Sequence, residues 1–140
     1  MTAIPEGSPA PAPSSDASRI HRWEERDAQA AATDVVRDIA DVPAVEVVSS
    51  ACIHLMSAAA VKLGLGDEAD ADELVDLDEA RKLINALAGL VTAAAPEISD
   101  SHARPIRDGL RTLQLRFREI SRIPDAPGSG PGEKYTGSVV

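Results

Sequence analysis

The clearest pattern in the chain is three apolar stretches whose residues recur at helical spacing. The first, residues 43–63, is apolar on almost every side, which predicts the central and most buried helix of the protein. The second, residues 78–95, places its large apolar residues on one face. The third, residues 105–121, repeats them at intervals of four and three, as in a seam that packs along another helix: Ile106, Leu110, Leu113, Phe117 and Ile120.

No stretch alternates apolar and polar residues with period two, so the sequence predicts an all-α fold without a sheet. A weaker apolar stripe over residues 19–40 adds an N-terminal helix to the bundle of three core helices. Residues 1–18 are rich in Pro, Ala and Ser, and residues 124–140 in Gly and Pro. Both ends are too poor in large apolar residues to offset the cost of ordering a chain, so we expect two disordered tails around a domain of residues 19–123.

An acidic segment, residues 67–79, separates the first two core helices and carries eight carboxylates with no basic residue between them. Such a run is typical of a solvated linker held open by self-repulsion. Asp76 and Glu79 are spaced as a capping box for the helix that follows. Whether this segment folds onto basic residues elsewhere in the chain is left open by the sequence.

Composition narrows the classes of function. The 140 residues carry a net charge of −9, which opposes binding to DNA, and Cys52 is the one cysteine, which excludes an intrachain disulfide and a cysteine zinc cluster. The N-terminus has no apolar signal segment, and the longest apolar run contains His54 and three serines. That run is shorter than the ~20 residues that span a bilayer. We therefore expect a cytoplasmic protein with no membrane contact, no metal and no cofactor.

The glycine-rich stretch PGSGPGEKYTG, residues 127–137, superficially resembles a phosphate-binding loop. The loop motif requires glycine where Glu133 stands, and Ser or Thr where Tyr135 stands. We therefore interpret the stretch as a tail, either inert or carrying a short linear motif. Lys134 and Tyr135 are the residues of that motif that would contact a partner, because a tyrosine brings much apolar area at low entropic cost.

Ser50 and His54 are one helical turn apart, the spacing of a nucleophile and its base. Nothing in the sequence supplies an oxyanion hole or a nucleophile elbow, so a hydrolase is only a remote alternative and we expect no catalytic residues. A buried histidine bonded to a serine or a backbone carbonyl is the prediction for His54.

An arginine ridge on the last core helix is the most informative surface. At 100° per residue its members gather opposite the apolar seam. They are Arg104, Arg107, Arg111, Arg118 and Arg122, with Leu115 beside them. A guanidinium binds carboxylates and phosphates with two parallel hydrogen bonds, so the ridge is either a solvated basic face or a docking surface.

Four stretches resemble actinobacterial members of the bacterial domain-of-unknown-function family 1844. They are DVPAVEVVSSACIHLMSAAAVKLGL, LDEARKLINALAGLVTAAAPE, RPIRDGLRTLQLRFRE and IPDAPGSGPGEKYTG, all within residues 34–137. The resemblance implies a small helical domain and carries over no activity and no catalytic residues. It also implies that related genes lie near translation-factor and ribosomal-protein genes.

These observations favour a small cytoplasmic protein that acts by protein–protein interaction, as a monomer or a homo-oligomer, and is not an enzyme. The alternative is a translation-associated factor that binds RNA or the ribosome through the arginine ridge.

Overall fold

The computed structural model describes residues 14–140 and, in the first helix, part of the side chains. The chain divides into two compact units after Val42. Helix α1, Ser14–Asp41, belongs to the first unit. It begins before the predicted start at residue 19, and most of the predicted N-terminal tail, residues 1–13, lies outside the described residues.

The second unit, Pro43–Val140, contains four helices: α2, Ala44–Lys62; α3, Leu77–Ala94; α4, Asp100–Ile120; and the short α5, Glu133–Thr136. Single 3₁₀ turns at Ala71–Leu74 and Ala95–Glu97 precede α3 and α4. No strand occurs in residues 14–140, so the all-α prediction is confirmed.

The core of this unit is built where α2, α3 and α4 meet. Its largest fully buried side chains are Leu63, Ile84, Leu87, Leu110, Val91 and Cys52. The seam predicted on α4 faces this core, with Leu113 and Phe117 only 4% and 3% exposed. Because alanines such as Ala59, Ala80 and Ala88 are also buried, the three helices approach closely.

Helix α2 is not the most buried helix, and that prediction is wrong. Only Cys52 and Ala59 of its 19 residues are buried, whereas Val47 is 46% and Ile53 59% exposed. His54 is exposed as well, so the buried histidine predicted there is also wrong. An apolar composition on all sides allows a helix to be covered on every side, but does not require it. In residues 43–140, α3 and α4 cover one side of it.

The start of α3 agrees with the sequence prediction, and the start of α4 does not. Asp76 caps α3 as predicted, its Oδ1 accepting a hydrogen bond from the Glu79 amide at 3.1 Å. Helix α4 instead begins at Asp100, so Pro105 lies inside the helix and not at its start. Residues 67–70 and 72–76 of the acidic segment, which contains the first 3₁₀ turn, are exposed.

Candidate functional site: the C-terminal segment on the α3–α4 face

Residues 124–140, which we call the C-terminal segment, are ordered against α3 and α4. Pro131, Gly132 and Val139 are buried, and residues 133–136 form α5. Gly128, Gly132 and Gly137 turn the segment with positive φ angles of 85°, 76° and 80°. The disordered C-terminal tail predicted from composition is therefore wrong. The segment is held by polar contacts to helices far away in the sequence, which local apolar content does not register.

Helix α3 anchors the segment through two polar side chains. Arg81 donates two hydrogen bonds to the carboxylate of Asp125, at 3.0 and 2.9 Å, and its guanidinium lies 4.9 Å from the centre of the Phe117 ring. Asn85 Oδ1 accepts a hydrogen bond of 2.7 Å from the Gly132 amide. Arg81 thus connects α3, α4 and the C-terminal segment in one place.

Helix α4 anchors the segment through Gln114, the one buried polar side chain in the described core. Its Nε2 donates to the carbonyl of Pro131 and to Oγ1 of Thr136, both at 3.0 Å. Because the amide has both its hydrogens bonded, its burial is compensated. Gln114 lies beside the apolar seam, and the apolar pattern of α4 does not identify it as a site residue.

Gly132 lies where a side chain would be crowded and strained. A β-carbon built on it would lie 2.9 Å from Nε2 of Gln114 and 3.0 Å from the β-carbon of Ala88. Both distances are shorter than ordinary van der Waals contacts, and the positive φ adds strain for any residue with a side chain. This backbone therefore approaches α3 and α4 more closely than a substituted residue allows.

Tyr135 and Lys134 are part of the folded segment rather than a displayed motif. The Tyr135 ring packs over Gly89 of α3, where a β-carbon would lie 3.3 Å from the ring, and 44% of Tyr135 stays exposed. The Lys134 ammonium lies 5.5 Å from the centre of the same ring. Partner binding by these two residues stays a prediction.

The arginine ridge makes contacts within the chain at four of its five positions. Arg118 donates to the carbonyl of Val139 at 2.7 Å, and Arg111 to the main-chain oxygen of Val140 at 2.9 Å. Two others lie near one carboxylate, with Asp100 3.1 Å from Arg104 and 3.8 Å from Arg107.

The rest of the ridge faces solvent. Arg122 is exposed, and so is Leu115, at 37%. In residues 43–140 the ion pairs of the ridge go to Asp100 and not to the acidic segment. That segment pairs instead through Glu79 with Lys82 at 3.0 Å, which raises the pKa of Lys82 above its ordinary value through the hydrogen bond and charge of Glu79.

The C-terminal segment leaves space against the helices. A cavity of about 110 Å³ lies between it and α4, next to Phe117, Arg118 and Pro131. A larger cleft of about 610 Å³ is lined by Val91, Leu110, Arg107 and Arg111 on the helices and by Tyr135 on the segment.

The proposed Ser50–His54 pair lies on the outward side of α2. Both residues are exposed, and neither lines the cavities described here. In the described part of the chain, no group of three or more His, Cys, Asp or Glu side chains is placed to hold a metal ion. Burial raises the pKa of the Cys52 thiol, which makes it a poor nucleophile.

By length and composition alone, α2 could also cross a membrane, a property that it shares with the core helices of many soluble proteins. The absence of membrane contact stays a prediction.

A family model described as "Domain of unknown function (DUF1844)" matches residues 44–119, more than half of the chain. The chain belongs to this family. The DUF1844 region contains α2, α3 and nearly all of α4, and therefore the anchors Arg81, Asn85 and Gln114, while the C-terminal segment follows it. No curated protein and no solved structure matches the chain.

Proposed function

We propose that this protein acts by binding another protein through an apolar groove between α2 and α4. The groove, of about 240 Å³, is lined by Ile53 and Met56 of α2 and by Pro105 and Ile106 of α4. Ile53, at the edge of the groove, is 59% exposed. This exposure is the observation on which the proposal rests, because large apolar side chains on an ordered helix are rarely left uncovered beside an apolar groove.

A polar atom at the wall of this groove supports the same role. Ser49 lines the groove, and its hydroxyl oxygen is buried without a hydrogen-bond partner. Leaving such a group unpaired costs about 1–3 kcal/mol. A partner that places an apolar side chain in the groove and a donor or acceptor beside Ser49 would offset that cost. We infer that the partner presents an amphipathic helix, the element that fits a groove between two helices.

The alternative, RNA or ribosome binding through the ridge, draws less support from the structure. Arg111 and Arg118 already bind the C-terminal segment, and Arg104 and Arg107 share Asp100. The net charge of −9 opposes long-range attraction to a polyanion.

The test is site-specific photo-crosslinking in the full chain. A photoreactive residue at position 53 should capture one defined protein, and the same residue at Leu74, which is 37% exposed and outside the groove, should not. Ile53→Asp in a chain labelled at Met56 should abolish the product. Equal labelling at both positions, or a product insensitive to Ile53→Asp, would contradict the proposal.

Two further measurements separate the alternatives. Flotation with anionic vesicles, if lost in the Ile53→Asp variant, would identify a membrane rather than a protein as the partner. Sedimentation with ribosomal particles at low salt, lost in an Arg104→Gln and Arg122→Gln double variant, would identify the ridge as the functional surface.

A further inference from the structure

The C-terminal segment is held mainly by hydrogen bonds to its main chain. Asn85 binds the amide of Gly132, Gln114 the carbonyl of Pro131, and Arg118 the carbonyl of Val139. The helices therefore contact backbone groups that every peptide has. Contacts to main-chain groups supply affinity that does not depend on sequence, and side-chain positions add specificity.

Few apolar contacts hold the segment in place. Only Pro131, Gly132 and Val139 of its residues are buried, whereas the helices below contribute the whole apolar core. Segments with little buried apolar surface are the first to open in a native protein. The segment should therefore detach while α2, α3 and α4 stay folded.

The segment also fills its groove incompletely. The cavity of about 110 Å³ beside Phe117 and the cleft of about 610 Å³ beside Leu110 both lie where the segment meets the helices. A ligand with larger side chains at these two places would bury more surface than the segment does.

The geometry restricts what else could bind. At the position of Gly132 the groove favours glycine, for the steric reasons given above. Three residues later, the ring of Tyr135 packs over Gly89. The hydroxyl of the next residue, Thr136, accepts a hydrogen bond from Gln114 and donates one to the carbonyl of Gly132. The ligand is therefore a peptide of the form Gly-x-x-Tyr-Thr.

From these observations we propose that the α3–α4 groove is a peptide-binding site and that residues 124–140 are its releasable internal ligand. When the segment detaches, Gln114, Asn85 and Arg118 present free donors and acceptors to a peptide of the same form. This site is separate from the α2–α4 groove of the proposed function, and its failure would leave that proposal intact.

Amide hydrogen exchange on the full chain tests release. The Gly132 amide, bonded to Asn85, should exchange at least about tenfold faster than the amides in the middle of α3, and its rate should depend on denaturant less steeply than theirs, because release exposes less surface than unfolding. If the Gly132 amide exchanges only when α3 does, the segment is an inseparable part of the core and the proposal is wrong.

Binding in trans tests the groove. A fluorescent peptide of residues 124–140 is titrated into the full-length chain and into its Gly132→Ala variant, which displaces the segment. The variant should bind the peptide at least about tenfold more tightly than the wild type, because its groove is no longer occupied by a tethered ligand. Gly137→Ala is the matched control, since Gly137 has the same positive φ but no atom within 4 Å of an added β-carbon.

A folded Gly132→Ala variant that binds no peptide would overturn the proposal. Should that variant fail to fold, Val139→Ser weakens the segment at another point and takes its place in the titration. A dimer in which each copy's segment fills the groove of the other would assign the groove to a second copy and would overturn the internal-ligand assignment.

Discussion

Phe117 is a core side chain of α4 that also contacts an arginine of α3. It is 3% exposed, belongs to the core cluster, and carries the Arg81 guanidinium on its ring. We expect Phe117→Ala to lower the free energy of unfolding by about 3–5 kcal/mol, through lost burial and a cavity. Urea denaturation followed by circular dichroism measures this loss.

Leu115 is the control for Phe117 on the same helix. Because it is 37% exposed and lies opposite the seam, Leu115→Asp should change the free energy of unfolding by less than about 1 kcal/mol. Equal destabilisation by both substitutions would mean that Leu115 is covered in solution, as it would be in a homo-oligomer.

At the scale of elements, α3 accommodates the C-terminal segment by carrying a glycine in its interior. Gly89 costs roughly 1 kcal/mol of helix stability relative to alanine. An added β-carbon would lie 3.3 Å from the Tyr135 ring, tighter than most contacts of that kind. The glycine therefore trades helix propensity for close packing of the ring.

A double-mutant cycle measures this trade. Gly89→Ala should stabilise a Tyr135→Ala variant by roughly 0.8–1 kcal/mol, which is the full difference in helix propensity between glycine and alanine. In the wild-type background the gain should vanish or reverse, because the ring must move. The same gain in both backgrounds would mean that Tyr135 does not rest on Gly89 in solution.

The sequence predicted those features of the helices that depend on local patterns of residues. The spacing of Ile106, Leu110 and Phe117 identified the buried face of α4, and Asp76 identified the start of α3. The C-terminal segment could not be predicted in this way, because Asn85 and Gln114 bind it across 47 and 17 residues. A glycine inside α3 and a glutamine beside the seam were the signals available. Both residues can be recognised as contacts of the C-terminal segment only after the fold has brought them next to it.

The same limit applies to α2. Its apolar residues predicted burial on every side, but the number of helices that cover it is a property of the assembled unit. His54, Ser50 and Val47 lie on the side of α2 that α3 and α4 leave uncovered.

At the scale of the whole molecule, Cys52 reports opening of the core. The side chain is fully buried and burial raises its pKa. Reaction with a disulfide reagent at pH 8 should be about 1,000-fold slower in the folded protein than in the unfolded chain, since it requires opening and a thiolate. Ser57→Cys in a Cys52→Ala background, exposed on the same helix, should react at the unfolded rate.

The raised pKa also sets a pH dependence. The thiol of the unfolded chain ionises near its ordinary pKa of about 8.5, below that of the folded protein. The contribution of Cys52 to stability is therefore complete below that pH and falls as the pH rises above it. Cys52→Ala should remove this part of the alkaline loss, measured by urea denaturation between pH 7 and 10.

The long spacing of the Asn85–Gly132 contact has a consequence for the order of folding. Closing a loop of 47 residues costs more chain entropy than pairing neighbouring helices, so the helices should assemble before the segment docks. During synthesis α3 and α4 emerge first, and their shared face meets solvent until the segment follows. Substitutions in the segment, such as Val139→Ser, should then accelerate unfolding and leave the refolding rate unchanged, whereas Phe117→Ala should slow refolding. Stopped-flow kinetics in urea distinguishes the two.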